Sequence, residues 1–269
     1  YAYDLDGAER QSSSTETFRV DATTSPPTQP LLSSPTNYQI VYTSYPVFQW
    51  QVSTDSDPWD KVRYKIEYSS YSNFPSAVTV SSDGLTSPSF NPLIAGFLAL
   101  TENATYYWKV TAFDYWDYPT VGSYVQRGTG TISAIETFRV NASSEPPNAP
   151  SLLWPKNNQI LTRQTTTFSW NPPTDPDPGN LISSYTIQIA NNPDFGFIDP
   201  NKIYADSMVV TTSYLFSGTL DENTTCWWRV KAWDNTGMEG TYSSTTFRVD
   251  ATTSPPTQPL LSSPTNYQI

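Results

Sequence analysis

The chain carries the same twenty-four residues twice: TFRVDATTSPPTQPLLSSPTNYQI begins at residue 17 and again at residue 246. An identical block recurring at an offset of 229 residues means that the folding unit is smaller than the chain and is repeated along it. A weaker echo lies in between. Phe18-Arg19-Val20-Asp21 returns as Phe138-Arg139-Val140-Asn141 and then as Phe247-Arg248-Val249-Asp250, at offsets of 120 and 109 residues. The period therefore holds two related modules of ordinary domain size. Residues 1–20 match the end of the second module better than the end of the first. The expected division is 1–24 for the last strands of a preceding module, 25–144 and 145–253 for two full modules, and 254–269 for the first strand of another. Such a chain is expected to be a window on a longer array.

Each module reads as β-structure. Pro26, Pro27, Pro30 and Pro35 punctuate the opening of the first, which suits a linker leading into an edge strand, since proline cannot donate to a ladder. Val47-Phe48-Gln49-Trp50 alternates, Thr54 to Pro58 is turn chemistry, and Tyr64, Ile66 and Tyr68 share one face of a further strand. Residues 77–90 hold one or two short strands. In the stretch Tyr106 to Ala112, alternation places Tyr106, Trp108, Val110 and Ala112 inside, and Glu136 to Val140 is the last strand. The second module answers piece by piece: Phe168-Ser169-Trp170, Thr174 to Pro178, Tyr185-Thr186-Ile187 and Cys226 to Ala232. About seven short strands between turn signals describe an all-β sandwich.

The residues Trp50 and Trp170, Tyr64-x-Ile66 and Tyr185-x-Ile187, and Leu100 followed by Tyr106-x-Trp108-x-Val110-x-Ala112 resemble those of fibronectin type III domains. The resemblance implies tandem immunoglobulin-like β-sandwiches joined by Pro-rich linkers, of the kind strung together in prokaryotic surface proteins. It also implies that the Tyr106 hydroxyl bonds back to nearby backbone as a tyrosine corner. The second module departs here: Cys226 stands in that slot, so a corner bond is expected to be lost, and the Cys reads as a small buried apolar residue.

Composition narrows function. A net charge of −11 argues against nucleic acid as a partner, because phosphates call for a basic patch. No run of eighteen apolar residues occurs, so no membrane span is expected in this window. With no His and a single Cys, the familiar nucleophilic triads are absent and no disulfide can form within the chain. Paired carboxylates fall in turns, which rarely shield a general acid. No catalytic residue and no cofactor is expected, apart from structural calcium.

Calcium enters through clustered aspartates. Asp55 and Asp57 lie in the turn after the Trp50 strand, Asp114 is placed in the turn after the Trp108 strand, and Asp21 lies in the incoming linker. The second module repeats the set as Asp175, Asp177, Asp234 and linker Asn141. Ca²⁺ takes six to eight oxygens, and a junction between modules can gather them. The plainer alternative is that these side chains cap their own turns. Three sequons, at Asn103, Asn141 and Asn223, fit N-glycosylation; the first and third occupy the same turn of both modules, so shared turn ancestry explains them equally well. Finally, Trp59, Tyr115, Trp116 and Tyr118 gather aromatics at one pole of the first module, as a contact surface for a neighbouring module or chain, or as a sugar-stacking site.

The expected function is structural: a segment of a long extracellular fibre or stalk at the cell surface, non-catalytic. Its expected partners are neighbouring modules of the same array and other copies of the fibre. Stiff Pro-rich linkers would extend it, and two straight modules would repeat at roughly 70–80 Å. The alternative is an adhesin or carbohydrate-binding spacer of a secreted multidomain protein.

Overall fold

The structure, a computed structural model, describes residues 2–3, 9–10, 24–57, 60–77, 79–117, 124–196 and 203–252. The chain divides into two compact units, Tyr1–Ala142 and Ser143–Ile269. Every described element is a strand, apart from turns and bends.

The first unit opens with a small antiparallel pair, β1 (Ala2–Tyr3) and β2 (Glu9–Arg10). Its sandwich follows. One sheet is ordered β3 (Leu32–Ser34), β5 (Phe48–Trp50), β8 (Ser89–Phe90). The other is ordered β4 (Gln39–Val41), β11 (Glu136–Val140), β9 (Thr105–Asp117), β6 (Asp60–Ser69), β7 (Val80–Leu85), with β10 (Tyr124–Ile132) extending the β9 ladder beyond β11. Strands β3 and β4 flank Pro35, where the chain changes sheets; β4 then runs parallel to β11 while its other neighbours pair antiparallel.

The second unit repeats the plan. β12 (Ser151–Trp154), β14 (Thr166–Asn171) and β17 (Ser213–Phe216) form one sheet. β13 (Gln159–Leu161), β19 (Ser243–Val249), β18 (Thr225–Asp234), β15 (Ile182–Ala190) and β16 (Ile203–Val209) form the other. Three strands facing a longer sheet, with the first strand split between them, is a fibronectin type III-like sandwich.

Alternation builds each core. Trp108, Val110 and Ala112 point inward from β9 against Phe48, Ile66, Tyr68 and Phe138, all essentially without solvent exposure. Trp228, Val230 and Ala232 do the same from β18 against Phe168, Ile187, Ile189 and Phe247. Each such side chain is worth roughly 1.5–3 kcal/mol when fully buried. Both cores hold one crossing bond at the same place: Trp108 Nε1 donates to the Pro35 carbonyl at 3.0 Å, and Trp228 Nε1 to the Pro155 carbonyl at 3.1 Å. An indole N–H buried among rings needs such an acceptor, and this one ties the sheet switch to the centre of the sandwich.

Candidate functional site

Carboxylates hold the chain where it enters and leaves each unit. At entry, Asp57 Oδ2 accepts the Ser25 N–H at 2.5 Å, and Asp177 Oδ2 accepts the Glu145 N–H at 3.1 Å. Each of these residues immediately precedes the Pro-Pro pair. The loop presenting the acceptor is itself fixed by its neighbour, since Asp55 Oδ1 accepts the Asp57 N–H and Asp175 Oδ1 the Asp177 N–H, at 2.8 and 2.9 Å. These are turns closed by an aspartate side chain. At exit, Glu102 accepts the Ala142 N–H at 2.8 and 3.0 Å, and Glu222 accepts those of Ala251 and Thr252 at 3.0 and 3.1 Å. The hydrogen bonds from Thr252 and Ala251 hold the Glu222 carboxyl below its ordinary value.

Glu102 and Glu222 were not singled out in the sequence, although they stand in matching Leu-x-Glu-Asn runs at residues 100–103 and 220–223. The next residue explains the paired sequons in backbone terms. Asn103 and Asn223 have φ of 56° and 54°, the left-handed region that Asn tolerates better than other side-chain-bearing residues. Asn103 is half-buried and Asn223 exposed, whereas Asn141 is buried at the end of the first unit, its N–H on the Val41 carbonyl.

The aspartates at the entry end differ between units. Asp114 does not lie in a turn as expected. β9 continues to Asp117, so Asp114 sits on a strand, opposite Val62 of β6 and Arg127 of β10. Two residues beyond Ala112, it points to the interior face, and it is only 2% exposed. Neither of its carboxylate oxygens has a hydrogen-bond donor. Burial, then Asp60 and Asp55, push its carboxyl up to about 7, against a smaller opposing pull from Arg127. Asp60, also not foreseen, joins Asp55 and Asp57 with one oxygen of each within 4.8 Å of the others. Its side chain has no solvent exposure; Oδ2 lies 3.5 Å from Arg127 Nη1 and Oδ1 has no donor.

In the second unit, Asn180 stands where the first has Asp60, and it bridges the other two carboxylates. Its Nδ2 donates to Asp177 Oδ2 at 3.2 Å and to Asp234 Oδ2 at 3.3 Å. Asp234 also accepts from the Thr236 N–H, the Thr236 hydroxyl and the Met238 N–H, each at 2.8 Å. Burial alone would raise the Asp234 carboxyl, but these bonds outweigh it and the carboxyl lies below its ordinary value. Burial and the neighbouring Glu145 push Asp177 the other way, up to about 6. Asp21, in the linker, lies outside the described residues.

The aromatic group is only partly in view. Trp59 and Tyr118 lie outside the described residues. Trp116, like Asp114, is on β9 rather than in a turn, paired with Asp60 and Val125. Tyr115 is half-buried beneath the Arg63 guanidinium, 5.7 Å from its ring centre, and donates to Gln126 at 3.4 Å.

Residues 155–250 match the model of a family described as the Rha78A-like, N-terminal immunoglobulin domain. The chain is a tandem of immunoglobulin-like sandwiches. The family match covers one unit, and no curated protein matches the chain in sequence. Among solved structures, the fibronectin(III)-like modules of Clostridium thermocellum CbhA align at 13% identity over 82% of this chain and 94% of that one, with a TM-score of 0.29. A human fibronectin type III domain aligns at 18% identity over 44% of this chain and 91% of that one, with a TM-score of 0.32. The twitchin kinase region of C. elegans aligns at 20% identity and a TM-score of 0.30 over 40% of this chain, which spans only 17% of that one. The fold assignment here rests on strand order and on the family match to the second unit. No helix among the described residues is long and apolar enough to cross a membrane.

Proposed function

We propose that this chain is a structural segment of an extracellular tandem array and that its task is to hold distance rather than to transform a substrate. The observation that carries the reading is the repeated pair of carboxylate latches. Asp57 and Asp177 tie down the incoming backbone, and Glu102 and Glu222 the outgoing backbone, at the same positions of both units. A linker fixed to the body at each end loses the freedom that a Gly/Ser linker keeps, and prolines stiffen what lies between. Buried anchoring carboxylates repeated at matching positions suit an architecture in which stability sums unit by unit along a string. The repeated 24-residue block supports the same reading.

Small-angle scattering tests it. The maximum dimension is measured for this chain and for one lengthened by a further 229-residue period. A spacer gains a constant increment with each period. The double variant Glu102→Ala with Asp177→Ala shortens the mean dimension while circular dichroism stays that of β-sandwiches. A dimension that does not grow with added periods would sink the proposal.

A further inference from the structure

The two units solve the same electrostatic problem differently, and the difference exposes a site. Where β15 and β18 meet in the second unit, Asn180 supplies amide protons to the Asp177 and Asp234 carboxylates. Where β6 and β9 meet in the first, the matching residue is Asp60, which when ionised supplies none. The first unit thereby collects Asp55, Asp57, Asp60 and Asp114 at one end of the sandwich. Four of their buried oxygens have no donor: Asp55 Oδ2, Asp60 Oδ1 and both of Asp114. Arg127 contributes one guanidinium, 3.5 Å from the remaining Asp60 oxygen. One positive group against four carboxylates leaves a deficit, and a buried unpaired carboxylate is strongly disfavoured.

We infer that the first unit binds a divalent hard cation, calcium by ligand chemistry, through Asp55, Asp57, Asp60 and Asp114, and that the second unit has replaced the ion with the side chain of Asn180. The decisive group is Asp114: it is 2% exposed, lacks any donor, and has the Asp60 and Asp55 carboxylates as its electrostatic neighbours. All four donors are carboxylate oxygens, and no His or Cys accompanies them. That set suits calcium, which accepts oxygen ligands in irregular geometry, over zinc, which favours nitrogen and sulfur. A cavity of about 140 Å³ bounded by Thr24, Ser25, Asp114, Arg127 and Gly128 opens beside Asp114 and leaves room for coordinating water. The ion would sit within one unit, beside the latch at Ser25, and not between units as the sequence suggested.

The test uses the full chain stripped with a chelator and then titrated with Ca²⁺, with Tb³⁺ as a luminescent reporter excited through neighbouring aromatics. Saturable Tb³⁺ luminescence, displaced by Ca²⁺ at one site per chain, is expected. Asp60→Asn copies the residue the second unit already folds with. It should weaken Ca²⁺ binding about tenfold or more while leaving the circular dichroism spectrum unchanged. Asp114→Asn should do the same, and Asp234→Asn in the second unit should leave Ca²⁺ affinity as in the parent. Absence of binding to the parent chain at millimolar Ca²⁺ overturns the inference, as does undiminished binding in Asp60→Asn or a stoichiometry of two.

Discussion

Cys226 holds, in the second unit, the position that Tyr106 holds in the first. Tyr106 is a working tyrosine corner: its hydroxyl accepts the Thr101 N–H at 3.0 Å. The sequence correctly places Cys226 inside, since it is fully buried, but the expected loss of the corner tie is only half the outcome. Tyr204, which opens the β16 ladder from the neighbouring edge, donates to Asp221 at 2.6 Å and so restrains the same turn through a side chain. That compensation was not legible, because Tyr204 is remote in sequence and its strand pairs with β15, not with β18. Burial, reinforced by Asp221, pushes the Cys226 thiol up to about 12, so almost no thiolate exists near pH 8. Ellman's reagent should therefore leave the native chain unmodified and react stoichiometrically once urea unfolds it. Tyr204→Phe removes the donor to Asp221 and should destabilise the second unit by about 1 kcal/mol, read from the urea midpoint. A native thiol that reacts at the rate of a free cysteine would contradict this burial.

At the scale of elements, the units differ most where the central strand turns back. The second unit closes β18 to β19 with a turn wound around Asp234, with Gly237 at φ +90°. The first unit instead runs β9 on to Asp117 and returns along β10. The core strands were readable because apolar alternation marks them. The extension was not, because an inward-facing Asp114 breaks that alternation and looks like the start of a turn. Asp60 escaped notice for a related reason: it begins β6 beside turn residues and carries no apolar signal of its own. Asp234→Ala strips the acceptor from three donors at once and should cost the second unit about 2–3 kcal/mol in chemical denaturation at neutral pH. The parent carboxyl lies below its ordinary value when folded, so its contribution is complete above the unfolded carboxylate pKa near about 4. It fades as pH falls through the folded value. The stability gap between parent and Asp234→Ala should accordingly narrow below about pH 4; a gap that widens on acidification would reverse the assignment.

For the whole molecule, the repeat in the sequence has a thermodynamic counterpart. The buried clusters, Val41 to Val140 and Leu161 to Val249, share no residue, and each contains its own tryptophan bridge to a proline carbonyl. Each is large enough to support one cooperative transition. The energetic unit should then be the module, as in arrays whose stability is a sum of unit and neighbour terms. Phe168→Ala opens a cavity in the second core only and should cost about 3–5 kcal/mol. Phe48→Ala is its mirror in the first core. Scanning calorimetry of the two variants should lower different transitions, each leaving the other near its parental temperature. Calcium should raise the transition that Phe48→Ala lowers and leave the one that Phe168→Ala lowers in place, because its proposed ligands all belong to the first unit. A single transition shifted equally by both substitutions would make the whole chain one cooperative body and remove the ground for treating it as beads in an array.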